Sequence, residues 1–273
     1  MNRKIISKTL NQVYVLLPGG NITTLVEDKI SRPLQPALAK KIMKLKPEVE
    51  QVGFIEKPKN GKAAARLQMM GGEFCGNSTR CLGWLLLEGK PGKVKLEVSG
   101  AEKLLEVEIN KKGNVKTEMP IKSTLSSVQK IKDKYWIVFL KGITQVIIEE
   151  CLIPKRVNRR KLASKILDIL DLKQLEAAGV LFIKNQNPKI FMDPFIWVRD
   201  VKTFFNETAC ASGAAAVGLW QAKKRKSSVN NLEVIQPSKN SIFVTVKKNK
   251  SKFLNAWIKG PVKLLYKGSL SLA

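Results

Sequence analysis

Two stretches of this sequence resemble each other, FCGNSTRCLGWL at residues 74–85 and ACASGAAAVGLW at residues 209–220. In each one a cysteine is followed by a small residue, then by Asn or Ser, then by another small residue and an apolar run. A glycine stands at the same spacing after both cysteines, Cys75 and Cys210, which lie about half the chain apart. This duplicated unit predicts two similar lobes that face each other and bring two thiols to one cleft.

The rest of the sequence predicts strands around these two segments. Apolar residues alternate along short segments bounded by Gly, Pro and Asn, which is typical of strands, and they recur at helical spacing elsewhere. We therefore expect an α+β protein with two pseudo-symmetric lobes, each an antiparallel sheet or barrel wrapped around a central helix. The predicted helices are 36–45, 76–87, 160–170 and 211–222. The predicted strands are 12–17, 21–26, 51–55, 65–70, 93–99, 103–109, 114–119, 135–140, 143–148, 179–183, 195–198, 232–235, 241–246, 255–259 and 262–266.

The boundary between the lobes is expected in the segment 120–127. This places the first cysteine in an N-terminal lobe of residues 1–122 and the second in a C-terminal lobe of residues 123–260. The last strands, at about residues 261–273, are expected to return to the N-terminal lobe.

The length and the distribution of apolar residues indicate where in the cell the protein is expected. A chain of 273 residues can bury a large core. No apolar run approaches the ~18–20 residues of a membrane helix. The start, residues 1–8, has basic residues but no long apolar stretch or small-residue cleavage site. We expect no membrane partner and a cytoplasmic protein with reduced cysteines.

The formal net charge of +27 indicates either a polyanionic partner or a lysine-rich surface. Lysines are scattered along the whole chain, and the densest cluster, residues 223–226, follows the second apolar run, where basic residues complement a helix dipole. Neither interleaved aromatic residues nor a glycine-rich RNA signature accompanies them. We expect no nucleic-acid partner, and a basic nucleic-acid-binding protein is the remote alternative.

The types of residue present restrict the chemistry. The sequence has no histidine, which excludes Ser-His-Asp and Cys-His hydrolysis and histidine-ligated zinc. Its four cysteines form no Cys-x-x-Cys pair, so no metal site is expected. Acid–base chemistry near pH 7 would then fall most naturally to a thiol. Cys81 and Cys151 are expected to be packing residues.

Cys75 and Cys210 are predicted to stand at helix starts. Unpaired backbone N–H groups and the helix dipole favour a thiolate there, so we expect the pKa of each thiol to be lowered towards neutrality. A single cysteine in this position would more often be a packing residue, but a matched pair favours catalysis. A carboxylate held between both helix starts would place its α-carbon between two sulfurs. One thiolate would remove the α-proton and the opposite thiol would return one, without a cofactor.

These residues resemble the diaminopimelate epimerase-like superfamily of cofactor-independent amino-acid racemases and epimerases. Gly20-Asn21 is similar to the early Gly-Asn of that superfamily, residues 75–77 to its first catalytic motif, and residues 207–213 to its second. The resemblance spans nearly the whole chain. It is closer to the histidine racemases of opine-type metallophore synthesis, through residues 18–23, 50–56, 72–77, 236–237 with 241–242, and 258–260.

The resemblance implies the diaminopimelate epimerase-like fold, a small-molecule amino-acid substrate and a possible homodimer. It also implies a two-base mechanism on Cys75 and Cys210, with no cofactor. The implied substrate-binding residues are Asn21, Gly76, Asn77, Glu207, Ala211 and Ser212, with the carboxylate at Asn77 and the Ala211-Ser212 backbone and the amino group near Glu207.

Two departures disfavour diaminopimelate as the substrate. The loop before Cys75 is shorter than in diaminopimelate epimerases, and Arg199-Asp200 does not lie at the expected spacing from Cys210 for the arginine that grips the distal group. The predicted function is a cofactor-independent racemase or epimerase of histidine or another free amino acid. Diaminopimelate epimerase and a same-fold isomerase are the alternatives.

Overall fold

The computed structural model of the protein describes residues 9–131 and 134–272. The prediction that residues 1–8 contain no signal peptide concerns residues outside this description. The described part is a mixed α+β structure dominated by sheet. Its helices are α1 (Gln35–Leu45), α2 (Gly76–Leu86), α3 (Arg159–Ile169) and α4 (Ala211–Arg225). Its strands are β1 (Thr9–Leu17), β2 (Thr23–Val26), β3 (Gln51–Glu56), β4 (Ala65–Met69), β5 (Gly92–Val98), β6 (Leu105–Ile109), β7 (Val115–Glu118), β8 (Val128–Ile131), β9 (Tyr135–Phe139), β10 (Thr144–Glu149), β11 (Ala177–Gln186), β12 (Lys189–Val198), β13 (Thr203–Asn206), β14 (Val229–Ile235), β15 (Ser241–Lys248), β16 (Phe253–Gly260) and β17 (Lys263–Ser271).

All predicted helices and strands are confirmed as elements, with shifts of their ends. Two strands, β8 and β13, were not predicted. Each has four residues and pairs with one neighbouring strand, β9 and β12 respectively, so no alternating pattern long enough to recognise could develop. In the part of the chain that the structure describes, no helix has the length and hydropathy needed to cross a bilayer.

The sheet is mixed, which corrects the prediction of antiparallel sheets. Four strand pairs are parallel, namely β2–β3, β4–β5, β10–β11 and β12–β14. In the sequence, one helix lies between the two strands of each parallel pair. These helices are α1, α2, α3 and α4, in the order in which the pairs are named. Parallel neighbours need a long crossover connection, usually a helix, because a tight turn can join only antiparallel strands. The four helices supply these crossover connections.

The same order of pairings occurs twice along the chain. From β1 to β7, consecutive pairs are antiparallel, parallel, antiparallel, parallel, antiparallel and antiparallel. From β9 to β16, with β13 left out, the order is identical. β16 also pairs with β7, and β17 pairs with β1 near the other end of the chain, so hydrogen bonds join both halves into one network.

The helices α2 and α4 are each surrounded by strands of their own half. α2 contacts β2 to β7, whereas α4 contacts β8 to β10 and β14 to β16. The glycines at matching positions in the two cysteine stretches explain how closely these helices pack. A Cβ atom on Gly83 would lie 2.3 Å from Val107 Cγ1 on β6, and one on Gly218 would lie 2.4 Å from Val244 Cγ1 on β15. Only glycine permits this approach.

Candidate active site

Each cysteine of the duplicated motif is the N-cap of its helix. Cys75 and Cys210 have nearly the same extended backbone, with φ of −129° and −124°. Cys75 Sγ accepts hydrogen bonds from the backbone N (3.4 Å) and Oγ (3.2 Å) of Ser78. Cys210 Sγ accepts one from the Gly213 backbone N (3.4 Å), and Ser212 Oγ lies 3.4 Å away. The predicted positions of both cysteines at helix starts are therefore correct.

The helix starts also provide free backbone donors. The first bonds within the helices run from the backbone N of Thr79 and of Ala214 to the Cys75 and Cys210 carbonyls, 3.0 Å in both cases. The N–H groups of the first two residues of each helix have no acceptor within the helix, as at the start of any helix. They are available to an anion. They belong to Gly76, Asn77, Ala211 and Ser212.

The two helix starts meet directly. Asn77 Nδ2 donates a hydrogen bond to the Ala209 carbonyl (2.9 Å), and a Cβ atom on Gly76 would lie 3.0 Å from Ala211 Cβ. The fully buried Arg80 holds the Asn77 amide in place, since its Nη2 donates to Asn77 Oδ1 (2.7 Å) and also to the Pro18 carbonyl (2.9 Å).

A small cavity lies at this meeting point. Its volume is about 20 Å³, room for about one water molecule. Every predicted site residue except Asn21 lies in its wall. The wall consists of Gln51, Glu73, Phe74, Cys75, Gly76, Asn77, Ile143, Ala177, Ile196, Val198, Glu207, Cys210, Ala211 and Ser212.

Asn21 supports the segment before the second cysteine. Its backbone N donates to Thr208 Oγ1 (2.5 Å), and its Nδ2 donates to Glu50 Oε2 (3.3 Å). Glu50 in turn accepts from the Thr208 backbone N (2.9 Å) and from its hydroxyl. These contacts tie the turn after β1 to the residues that precede α4. The predicted contact of Asn21 with the substrate stays a prediction.

Glu207 lies in the cavity wall beside Cys210. Its Oε1 accepts a hydrogen bond from Gln51 Nε2 (2.8 Å), and its charge raises the pKa of the Cys210 thiol. Burial raises the pKa of Glu207 to about 8, and the nearby charges of Glu50 and Glu73 act in the same direction. The carboxyl group can therefore gain or lose a proton near neutral pH.

Two polar residues of the wall, Glu73 and Gln51, were missed by sequence reasoning. Glu73 is only 3% exposed, and its Oε2 accepts a hydrogen bond from the Gly71 backbone N (2.8 Å). Burial raises the pKa of Glu73 to about 7. The available signal was a charged residue placed directly between Gly72 and the aromatic Phe74, just before the first cysteine motif.

Burial also changes the ionisation of the thiols. It raises the pKa of Cys75 to about 12 and that of Cys210 well above its ordinary value of 9, and the charge of Glu207 adds to both effects. The hydrogen bonds from Ser78 and Gly213 favour the thiolates but are outweighed. The expectation of lowered pKa values is therefore wrong for this closed arrangement, because desolvation disfavours the charged form more than the helix starts favour it.

The other two cysteines behave differently from each other. Cys81 is fully buried within α2, as predicted for a packing residue. Cys151 is exposed in a short turn after β10, so the prediction that it packs is wrong. A strand ends just before it, and the apolar pattern of that strand does not continue.

Solved structures with the same fold include several racemases and epimerases. A hydroxyproline epimerase from Agrobacterium vitis, with bound trans-4-OH-L-proline, matches with a TM-score of 0.69 and 13% identity over 100% of this chain and 94% of that one. A probable proline racemase from Agrobacterium radiobacter K84 matches with a TM-score of 0.67 and 13% identity over 96% and 93% of the two chains. At this identity the likeness establishes the fold.

Sequence relatives and a family model identify the family. A histidine racemase of Fusobacterium nucleatum subsp. nucleatum is 28% identical over 269 residues, 93% of each chain. A histidine racemase of Staphylococcus aureus is 26% identical over 281 residues, 96% of each chain. The model of the family described as "Histidine racemase CntK N-terminal domain" matches residues 13–270. This chain therefore belongs to the histidine racemase CntK N-terminal domain family, and it is an isomerase.

Proposed function

We propose that this protein is a cofactor-independent amino-acid racemase in which Cys75 and Cys210 exchange protons with the α-carbon. One observation carries the proposal: both cysteines cap helices whose starts meet in the wall of one buried cavity. Histidine is the proposed substrate because the relatives that match along almost the whole chain are histidine racemases.

The substrate carboxylate would be bound by the two helix starts. The backbone N–H groups of Gly76, Asn77, Ala211 and Ser212 all belong to residues of the cavity wall. They would bind the carboxylate in the ground state and stabilise the negative charge that it gains when the α-proton leaves. Since the donors come from both helices, the α-carbon would lie between the two thiols.

The substrate amino group would bind to Glu207. An ammonium group there would offset the carboxylate charge that now raises the pKa of both thiols. Substrate binding would thus remove the smaller of the two effects that raise the pKa of the thiols, whereas burial, the larger one, would remain. The thiolate would remove the α-proton from one face, the opposite thiol would supply a proton to the other face, and the reverse reaction would exchange their roles.

We also propose two pseudo-symmetric lobes, residues 1–122 with 261–273 and residues 123–260. The repeated order of strand pairings and the separate sets of strands around α2 and α4 support this division. The pairing of β17 with β1 supports the return of the last strand to the first lobe. Because the cavity holds about one water molecule, an amino acid would enter only when the lobes move apart. A homodimer, a cytoplasmic location and the lack of a nucleic-acid partner stay predictions.

Diaminopimelate is a weaker candidate for the substrate. In the described part of the chain, the cavity wall includes neither lysine nor arginine, so a distal carboxylate would have no cationic partner. The acidic residues of the wall, Glu73 and Glu207, would repel it. The same reasoning disfavours glutamate.

Solvent deuterium exchange at the α-carbon tests the proposed function. Purified, reduced protein would be incubated in D₂O with single L-amino acids, namely histidine, lysine, diaminobutyrate, diaminopimelate and glutamate, without pyridoxal phosphate. We expect deuterium in histidine, and the loss of this exchange after alkylation of the thiols. The absence of exchange with every amino acid, measured by mass spectrometry, would contradict the proposal.

A further inference from the structure

Two buried oxygen atoms in the cavity wall lack a hydrogen-bond partner among the described residues. They are Glu73 Oε1 and Gln51 Oε1. The opposite end of each side chain is held: Glu73 Oε2 accepts from the Gly71 backbone N, and Gln51 Nε2 donates to Glu207. Both oxygens are therefore fixed acceptors without a donor.

An unpartnered acceptor in a buried wall is costly. A buried polar atom without a hydrogen bond loses its interaction with water and gains nothing in return, and the loss is larger for a charged group. Most buried polar groups in native proteins are satisfied, so exceptions on side chains that line a cavity point to a ligand. Two of them in one wall indicate a ligand with N–H donors.

The remainder of the wall restricts the ligand further. Apart from the helix starts, the thiols and the side chains of Glu207, Glu73 and Gln51, the wall is apolar. It then consists of Phe74, Ile143, Ala177, Ile196 and Val198. Such a surface accommodates a hydrocarbon or aromatic frame. A ligand that satisfies both parts has an apolar or aromatic frame that ends in an N–H group.

We propose that Glu73 is a specificity-determining residue of this site, and that its Oε1 accepts a hydrogen bond from an N–H group on the side chain of a basic amino-acid substrate, such as the imidazole of histidine. Gln51 Oε1 provides a second acceptor in the same cavity wall. This inference rests on the proposed racemase function, and it explains how the side chain of the substrate is selected. It assigns the α-amino group to Glu207 and the side-chain N–H to Glu73.

The charge of Glu73 agrees with this role. Its pKa of about 7 is high because burial disfavours the carboxylate, whereas a cationic side chain next to it would favour the carboxylate. A neutral apolar side chain would leave Oε1 unsatisfied, and an acidic one would be repelled. Glu73 therefore selects the substrate side chain in two ways: it accepts a hydrogen bond from an N–H donor, and it repels an anionic side chain.

The test compares two substrates of similar shape on two proteins. L-Histidine carries a ring N–H, whereas L-β-(2-thienyl)alanine has a ring of similar size without one. Steady-state α-deuterium exchange would be measured for both on the wild type and on Glu73→Gln. The side-chain amide introduced by this substitution would accept from the Gly71 N–H and present its NH₂ group to the cavity, so a donor would face a donor. Glu106→Gln on β6, which makes the same substitution outside the cavity, is the control.

We expect the wild type to prefer histidine over the thienyl analogue, and Glu73→Gln to reduce this preference by roughly 10- to 100-fold. The change should appear mainly in KM for histidine, with little change for the analogue, and Glu106→Gln should behave like the wild type. An equal loss for both substrates would show a merely structural role and overturn the inference. An unchanged preference would overturn it as well.

Two further measurements keep the inference separate from the proposed function. If the wild type exchanges no α-proton, the binding of L-histidine and of the analogue can still be measured by calorimetry. Weaker binding of histidine alone to Glu73→Gln than to the wild type supports the assignment. Equal binding of histidine to both proteins rejects it. If Glu73→Gln does not fold, the wild type and Gln51→Leu decide instead. Equal binding of histidine and the analogue to the wild type would overturn the inference, and a preference for histidine that Gln51→Leu reduces would support it.

Discussion

Asn77 Nδ2 donates a 2.9 Å hydrogen bond to the Ala209 carbonyl, so the residue two positions after the first cysteine holds the residue just before the second. The bond is buried, and Asn77 itself is 1% exposed. It joins the starts of α2 and α4 across 132 positions of sequence. The relative position of the two thiols therefore depends on this bond.

Asn77→Ala is expected to destabilise the protein by about 1–3 kcal/mol, because the Ala209 carbonyl and the buried Arg80 guanidinium each lose a partner. Urea denaturation followed by circular dichroism measures this free energy of unfolding. The exposed Asn230→Ala, which removes only a 3.4 Å contact with Lys247, serves as the control and should change it by less than about 0.5 kcal/mol. Equal stabilities of the two variants would contradict the expectation.

Gly76→Ala is expected to lower the activity and the stability, because the new Cβ atom would lie 3.0 Å from Ala211 Cβ and 3.1 Å from Ile258 Cδ1. The helix starts would have to separate, at a cost of about 1–3 kcal/mol. The matched control is Gly61→Ala, where a Cβ atom would meet nothing within 4 Å. Thermal unfolding and α-deuterium exchange of both variants test this. Wild-type behaviour of Gly76→Ala would show that the helix starts tolerate separation.

Cys75→Ser and Cys210→Ser are each expected to reduce racemisation by about 10²- to 10⁴-fold, because a hydroxyl group is a far weaker acid than a thiol and each face of the α-carbon needs its own proton-transfer group. The rate of formation of D-histidine, measured by chiral chromatography, reports this loss. Cys151→Ser, at an exposed position outside the cavity, should retain full activity. Full activity in either cavity variant would refute the two-thiol mechanism.

The free energy of unfolding is expected to fall as the pH rises from about 5 to about 8.5. The pKa of Glu207 is about 8 and that of Glu73 about 7 in the folded protein, both raised from 4.5. In this interval the folded state holds protons that the unfolded state has released, so rising pH favours unfolding, by a few kcal/mol in total.

Urea titrations at both ends of this interval measure the pH effect. Carboxylates with lowered pKa values, such as those of Glu56 and Glu97, are ionised throughout it and do not contribute. Glu207→Gln should flatten the dependence, since it removes the group with the larger increase in pKa. A wild-type stability that rises with pH across the interval would show that the two carboxyl groups are ionised in the folded protein.

Local signals in the sequence were enough to predict the two helices that begin at Cys75 and Cys210. Small residues after each cysteine, an apolar run and a glycine at matching positions depend only on neighbours in the chain, and the same pattern occurs twice. The resemblance to a known superfamily added the residues of the carboxylate and amino-group sites. Nearly all of these lie in one cavity wall.

The positions of Glu73 and Gln51 could not be predicted in this way. Gln51 begins a strand and Glu73 precedes a helix, and nothing in their immediate sequence shows that they share a wall with residues of the other half. Asn21 illustrates the opposite case, since a motif residue expected at the substrate lies in a supporting network. Contacts of this kind depend on the packing of distant segments.

The sequence by itself determined the number and order of the helices, the pairing of two cysteine motifs and the family, because these follow from local patterns and from likeness along the chain. Only the tertiary structure decided which strands are parallel, which acidic groups face the thiols and how the thiols ionise. Those properties depend on strand register and on burial. Burial raises the pKa of both cysteines where the helix starts alone would lower it.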